Sequence, residues 1–393
     1  MKAPCGRTTG AESLTLGGAP IKILIIAPEQ IPVPPIKGGS VEICILAIAR
    51  RLAKSHKVTV ISKKTSKYPN KTQDGNLTIE RVDSGSPAKY LNAVLAKIKG
   101  RHFDMIQVDN RPRSLPKIKT MFPHTPLSLF LHSLTFVSSP KIPRQQAAQC
   151  MQYADLIIAN SQSLKSELQG RYPKIKNKLK VIYLGTDVHR FRPPTEKERS
   201  SVRAKLGVSG AYVVTFAGRI IPRKGLPILI RAIQHAKKSV PNVQLLVAGN
   251  TQRKGYGAKM KKLATQLNVP MKMAGYYAHK RMHQFYWAGD CFVCPSQKHE
   301  AFGLVNIEAM AAGLPVVASD IGGIREIIRH EKNGILIKRF HEPSAFASAI
   351  QRLANQHKFA KSIRRTGLRH VKNQFSWQGT ADRLIKLYHK HQT

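Results

Sequence analysis

Apolar positions in this chain gather into short runs separated by stretches of helical spacing. IKILIIA (21–27), KVTVIS (57–62), LTIERV (77–82), FDMIQVD (103–109), PLSLFLH (126–132) and ADLIIANS (154–161) read as strands. Unbroken runs such as ILIIA and LIIA suit strands buried on both faces of a parallel sheet. Between the first two, VEICILAIARRLAKS (41–55) reads as a helix. Strands alternating with helices in this way argue for parallel sheets with helical crossovers.

The series breaks at GTDVHRFRPPTEKERSS (185–201), where Pro193, Pro194 and a run of charges read as a linker. A second series follows, with strands at AYVVTFAG (211–218), VQLLVAG (243–249), CFVCPS (291–296) and LPVVASD (314–320). GLPILIRAIQHAKKS (225–239) is an amphipathic helix, and VNIEAMAAG (305–313) is a helix that ends at Gly313 with Pro315 just beyond. GGIREIIRH (322–330) opens another helix, and SAFASAIQRLAN (344–355) and QGTADRLIKLYHKH (378–391) complete the set. A length of 393 residues suits two domains. Two similar α/β halves joined by a linker invite a ligand into the cleft between them.

Composition changes this picture through charge. The chain is 42% hydrophobic, as a globular protein is, but 65 Lys and Arg face 21 Asp and Glu, for a net +44. No acidic residue stands between Glu198 and Asp290. Such a surface attracts polyanions, so peripheral contact with anionic surfaces is an open expectation. The basic residues are spread along the chain, which favours a solvated basic surface over a dedicated site. No nucleic-acid recognition module accompanies them, so no specific nucleic-acid partner is expected. Five cysteines form no disulfide framework. Cys291 and Cys294 lack the further ligands that a zinc site needs, and read as buried strand positions. Residues 1–20 carry one Lys, one Arg and no apolar h-region. They read as a disordered extension, and IKILIIA is far too short to span a bilayer. A cytoplasmic chain with no transmembrane segment is the expectation.

Where acids are this rare, buried ones are informative. EAFGLVNIEAMAAGLPVVASDIGGIREII (300–328) sets Glu300 and Glu308 in an almost wholly apolar run. Carboxylates buried without partners are costly, and a hydroxyl-rich ligand is the natural partner. AGRIIPRKG (217–225) leaves a strand end for a helix. There Arg219 offers a fork to phosphate oxygens, Lys224 a point charge, and the helix its first amides. Gly322 and Gly323 form a similar turn, at which a ligand could approach the backbone. Gly38 and Gly39 lie just ahead of the first helix, in a loop fixed by Pro32, Pro34 and Pro35. His132 ends the strand PLSLFLH and should face the cleft, and Asp109-Asn110-Arg111-Pro112 similarly ends a strand. No G-x-S-x-G, H-E-x-x-H, Walker lysine loop or G-x-G-x-x-G is present.

These residues together resemble glycosyltransferase family 4, retaining enzymes of the GT-B fold. The carriers are the Glu, seven residues, Glu element of 300–308 with the run that follows it, and AGRIIPRKG. ADLIIANSQS, YLGTDVHRFRP and FSWQGTADRLIKLY add further landmarks. PEQIPVPPIKGGSVEI and VDNRP look more like a spore-coat subgroup from bacilli. The resemblance implies an α/β protein with two Rossmann-like parallel-sheet domains facing each other across a cleft. Residues 21–190, completed by the C-terminal helix of 376–393, would form the acceptor domain. Residues 191–375 would bind a nucleotide-diphosphate sugar, the donor substrate. No cofactor and no metal are implied. Arg219 and Lys224 would hold the diphosphate and stabilise the departing charge. Glu300 would bind hydroxyls of the transferred sugar beside the amides of Phe302, Gly303 and Leu304, and Glu308 would bind both ribose hydroxyls. His132 would reach the donor sugar from the first domain. Gly38 and Gly39 would line the diphosphate or acceptor side. Retention is explained by front-face attack, so no protein nucleophile is required. One departure is NTQRKGYG (250–257), where the family often has an acid in a glycine turn.

Three functions stand against one another. The first is a transferase acting on an unknown saccharide, lipid or protein. The second is a nucleotide-sugar epimerase on the same fold. The third is a non-catalytic polyanion-binding or spore-coat protein, for which a coat or membrane-surface location would replace a purely cytoplasmic one. The intact set Arg219, Lys224, Glu300 and Glu308 favours transfer.

Overall fold

The computed structural model describes residues 19–251 and 255–392. Residues 1–18, and with them most of the expected N-terminal extension, lie outside the described residues; Ala19 and Pro20 are exposed. The described residues form two separate sheets. The first holds β1 (Lys22–Ile26), β2 (Lys57–Lys63), β3 (Lys71–Asp74), β4 (Leu77–Val82), β5 (Met105–Asp109), β6 (Leu127–Leu131), β7 (Leu156–Ala159) and β8 (Leu179–Val181), in the order β3-β4-β2-β1-β5-β6-β7-β8. Every pairing is parallel except β3 with β4. The second holds β9 (Tyr212–Ala217), β10 (Val243–Ala248), β11 (Met271–Gly275), β12 (Cys291–Cys294), β13 (Val316–Ser319) and β14 (Ile335–Ile337), all parallel, in the order β11-β10-β9-β12-β13-β14.

The central strands are the unbroken apolar runs, because helices cover both faces of a parallel sheet. Every residue of β5, β6, β7, β12 and β13 is buried. Cys291 and Cys294 sit fully inside β12, as small apolar residues do. β3, β8, β11 and β14 escaped the apolar pattern because they are short and partly solvated. β3 is the polar KTQD, closed onto β4 as an antiparallel edge.

The linker reading of 185–201 is corrected at its second half. Glu196–Lys205 is a helix whose start is a reciprocal cap. Thr195 Oγ1 accepts from the Glu198 amide at 3.3 Å, and Glu198 accepts from the Thr195 amide at 2.8 Å. The charges taken for linker residues are the first turn of this helix.

The chain passes between the halves at two places that touch. The Thr186 amide donates to the Phe375 carbonyl at 2.8 Å, and Thr186 bridges Ser376. A Cβ at Gly185 would lie 2.3 Å from the backbone of Ser376 and Trp377, so only glycine lets the strands of linker cross. The helix Trp377–Lys390 then returns to the first half and packs on the helix Ser40–Leu52. Its fully buried Tyr388 reaches beneath the first sheet to Gln107 and Ser128.

Candidate active site

In the second half, three loops converge on Glu300. Lys224, in the turn after β9, makes a hydrogen-bonded ion pair with Glu300. Ser296, just past β12, donates its hydroxyl to the same carboxylate at 3.2 Å. The two loops are locked together, for the Gln297 amide donates to the Arg223 carbonyl at 2.8 Å. Gly225 follows at φ 76°, and a Cβ there would lie 1.8 Å from the Pro295 carbonyl oxygen. That close approach is what brings Lys224 to Glu300. Burial alone would raise the Glu300 carboxyl, but Lys224 first, with Arg223 and Ser296, holds it below the ordinary range. Arg219 stands exposed at the same strand end, within electrostatic reach of Arg223 and Glu300.

The third loop explains Gly322 and Gly323. A Cβ at Gly322 would meet the Glu300 carbonyl oxygen at 2.2 Å, and one at Gly323 would meet that of Ala301 at 2.3 Å. The Gly323 amide donates to the Glu300 carbonyl at 2.9 Å. These glycines therefore press backbone on backbone behind Glu300. They do not open the turn to a ligand, as the sequence suggested.

Phe302 is buried and stacks on Tyr183 with centroids 6.2 Å apart. Gly303, at φ 98°, starts the helix Leu304–Ala311, so Phe302, Gly303 and Leu304 lie together at that helix's N-terminal end. Glu308 lies on the same helix, 8% exposed. Tyr286 donates to its Oε2 at 3.0 Å, and His279 Nε2 stands 3.0 Å from its Oε1. Sequence reasoning missed both partners. Each is one aromatic residue among many in a polar or apolar run, and only the fold brings them to Glu308.

The first half presents the C-terminal ends of β1, β5 and β6. His132 lies one residue past β6, 9% exposed and stacked on Phe130 with centroids 4.6 Å apart. Its Nε2 bonds Asp109 Oδ1 at 2.8 Å. Asp109 Oδ2 accepts from Gln107 at 2.6 Å, and Gln107 Oε1 accepts from the Tyr388 hydroxyl. The C-terminal helix thus anchors a chain of bonds that ends on the imidazole. When Nε2 donates to this carboxylate, the ring presents Nδ1 on its other side. Asn110 Oδ1 accepts from the His132 amide at 2.9 Å, and fixes the backbone as well.

Gly38 and Gly39 both adopt positive φ, 66° and 87°. Gly39 precedes the helix Ser40–Leu52, and the Gly38 amide donates across the halves to the Tyr276 hydroxyl at 3.0 Å. In the first turn of that helix sits Glu42, 4% exposed. Burial, reinforced by Asp109 and Glu29 against the opposing pull of its own amide and Arg111, pushes its carboxyl up to about 7. Arg111 is itself clasped by Glu29, with Nε and Nη2 bonds of 2.5 and 3.0 Å.

The two halves meet at these groups. Ala301, beside Glu300, packs into the first sheet's apolar cluster with Leu131 and Val137. The Cys44 thiol lies within electrostatic reach of Asp109, Glu42 and Glu308 together, and burial first, then these acids, pushes it well above its ordinary value. Among the described residues no helix is long and apolar enough to cross a membrane.

Comparison with known proteins finds two family models along the chain. Residues 198–370 match the family model "Glycosyl transferases group 1", and residues 38–190 match "Glycosyltransferase Family 4". The chain is 30% identical over 380 residues to spore coat protein SA of Bacillus subtilis, covering 94% of this chain and all of that one. Among solved structures it resembles the sucrose-phosphate synthase of Thermosynechococcus elongatus, with TM-score 0.80, 23% identity, and coverage of 94% and 99%. It also resembles Anabaena HepE in complex with UDP and glucose, with TM-score 0.79, 23% identity, and coverage of 94% and 100%. The second sheet lies within one model, all of the first but β1 lies within the other, and a full-length relative aligns with nearly the whole chain, so this protein belongs to the glycosyltransferases, on the GT-B fold.

Proposed function

We propose that the chain moves a sugar from a nucleotide-diphosphate sugar to an acceptor hydroxyl with retention of anomeric configuration. The observation that carries this reading is the Glu300 carboxylate held ionised by Lys224 beside Arg219 and Arg223, at the mouth of the second sheet. Such a group suits sugar hydroxyls on one side and a diphosphate on the other.

In this reading the second half, residues 191–375, holds the donor. Arg219 and Lys224 take the diphosphate, Lys224 turning from Glu300 as the phosphate oxygens arrive. Their charge stabilises the leaving nucleoside diphosphate, which can replace a metal. Glu300, freed of that partner, accepts from hydroxyls of the transferred sugar, beside the backbone of Phe302, Gly303 and Leu304. Glu308 takes the ribose hydroxyls, oriented by Tyr286 and His279. The first half, residues 21–190 with 376–393, holds the acceptor, and His132 reaches the donor sugar from it. Gly38 and Gly39 line the diphosphate or acceptor side. No side chain in this arrangement is needed as a nucleophile, because front-face attack lets the departing phosphate take the acceptor's proton. Likeness to a protein solved with UDP and glucose supports a UDP-sugar as the first donor to test.

A thermal-shift screen of nucleotide sugars tests the donor side, since a ligand that binds only the folded state raises Tm by mass action. One nucleotide diphosphate and its sugar should raise Tm by several degrees. With that donor, Glu300→Gln should lower kcat at least ~1000-fold, as loss of a preorganised group does, and the product's anomeric proton should keep the donor's configuration by NMR. Undiminished turnover in Glu300→Gln overturns the assignment of Glu300, and an inverted product overturns retention.

A further inference from the structure

The acids of the second half each have a partner, and the acids of the first sheet's edge do not all have one. Glu29 holds Arg111 through two bonds, and Asp109 holds Gln107 and His132. Glu42 differs. It is 4% exposed, and its carboxylate accepts from its own backbone amide, while no side chain bonds it among the described residues. A carboxylate buried in that condition is costly unless a ligand supplies donors. A chain of 393 residues with only 21 acids has nevertheless placed three of them at this one edge.

The edge has a direction. β1, β5, β6 and β7 are neighbours in the sheet. At or just past their C-terminal ends stand Glu29, Asp109, His132 and Asn160, in that order. At roughly 4.8 Å per strand the row is about 15 Å long. Asn160, 2% exposed, donates to the His132 carbonyl at 3.3 Å and leaves its own Oδ1 without a partner. Glu42 stands at the β1–β5 end, within electrostatic reach of Glu29, Asp109 and Arg111. The row thus ends on an unsatisfied acceptor at Asn160 and, at the other end, on Glu42 with no side-chain partner among the described residues, and Glu308 of the other half is close enough to act on the same Cys44 thiol.

We propose that this row binds the acceptor, that the acceptor is an uncharged, hydroxyl-rich sugar or polyol, and that Glu42 accepts hydrogen bonds from its hydroxyls. The inference rests on the transfer reaction proposed above and adds the class of the acceptor. Two carboxylate oxygens suit two neighbouring hydroxyls, both being acceptors. A phosphate or carboxylate on the acceptor would meet Glu29, Glu42 and Asp109, with Arg111 already taken by Glu29. The high pKa agrees with this use. Glu42 must be ionised to serve as a double acceptor, so acceptor binding weakens as pH falls through about 7.

The test uses the full chain with the nucleotide sugar that most raises its Tm. The acceptor probes are glucose, glycerol and myo-inositol, each beside its monophosphate. Transfer to at least one uncharged probe is expected. Glu42→Gln should raise the KM for that probe at least tenfold at pH 8, with the Kd for nucleoside diphosphate within twofold of the native value. The native kcat/KM for acceptor should fall below about pH 7, while the variant's profile stays flat there. A purely structural Glu42 would move neither the acceptor KM alone nor the profile. Transfer to the monophosphates only, no transfer to any uncharged probe, or an unchanged acceptor KM in Glu42→Gln overturns the inference while donor binding stands. A native chain that no nucleotide sugar stabilises overturns the donor reading, and this one with it.

Discussion

The two halves of the cleft treat their carboxylates differently. In the second, Glu300 meets Lys224 and Ser296, and Glu308 meets Tyr286 and His279, so each acid is oriented and bonded before any ligand arrives. In the first, Asp109 and Glu29 are spent on holding His132 and Arg111, and Glu42 is left with its own amide. A preorganised carboxylate costs little when the ligand binds, which suits a donor whose bond must be broken. An unpartnered one stores a burial cost that a hydroxyl-bearing ligand can relieve.

The largest effect that distinguishes them is on stability. The folded chain keeps the Glu42 proton up to about pH 7, against an ordinary value of 4.5. Native stability is therefore highest below about pH 4.5 on this group's account, and falls as pH rises through 7. Glu42→Gln removes that loss. At pH 8 the variant should be more stable by on the order of 3 kcal/mol, with an apparent Tm roughly 5 °C higher, and at pH 4 the two should coincide. Calorimetry at the two pH values checks this. Equal Tm at pH 8 would show that Glu42 is already compensated, and the contrast between the halves would collapse.

Asp109→Asn sharpens the contrast from the other side. It removes the charge that holds His132 and one of the acids that raise Glu42. The imidazole loses its fixed orientation, and misplacement of a cleft group costs about 100-fold in kcat, near 2.7 kcal/mol. The Glu42 titration should shift downward at the same time, so the acidic limb of the pH–rate profile should move below pH 7. A drop in kcat with the limb unmoved would separate His132 positioning from the Glu42 electrostatics.

The fold was legible because both sheets are built from runs buried on both faces, and ILIIA, LFL, LIIA and VVAS announce themselves. Glu300 and Glu308 were legible because an acid in an apolar run stands out in a chain so poor in acids. The capped helix Glu196–Lys205 was not, because its exposed charges look like a linker until Thr195 and Glu198 are seen to bond. Tyr276, His279, Tyr286 and Ser296 were hidden for another reason. The partners of Tyr276, His279 and Tyr286 are distant in sequence, Ser296 stands just past a buried apolar strand four residues before Glu300, and nothing in their own neighbourhoods marks them. Gly322 and Gly323 were seen as residues but misread in purpose, since a ligand and a neighbouring backbone make the same demand for a missing Cβ.

The smallest expected effect concerns what keeps the halves facing each other. Glu326, on the short helix Ile324–Ile327 of the second half, accepts from the Gln162 and Ser163 amides at 2.7 and 2.8 Å. These are first-turn amides of the helix Gln162–Arg171 in the first half, where a negative charge is favoured. The carboxylate therefore caps a helix across the cleft, with the Gly38–Tyr276 bond as a second tie. Glu326→Gln keeps one oxygen and loses the charge, at a cost of about 1 kcal/mol. Hydrogen exchange at the Gln162 and Ser163 amides should then quicken by roughly fivefold in the unliganded chain, because 1 kcal/mol is about that factor. Saturating nucleotide sugar should restore most of the protection if donor binding draws the halves together. Exchange unchanged by the substitution would mean that Ser161, which accepts from the Leu164 amide at 2.9 Å, caps this helix well enough alone, and that the halves are held by their apolar contact at Ala301.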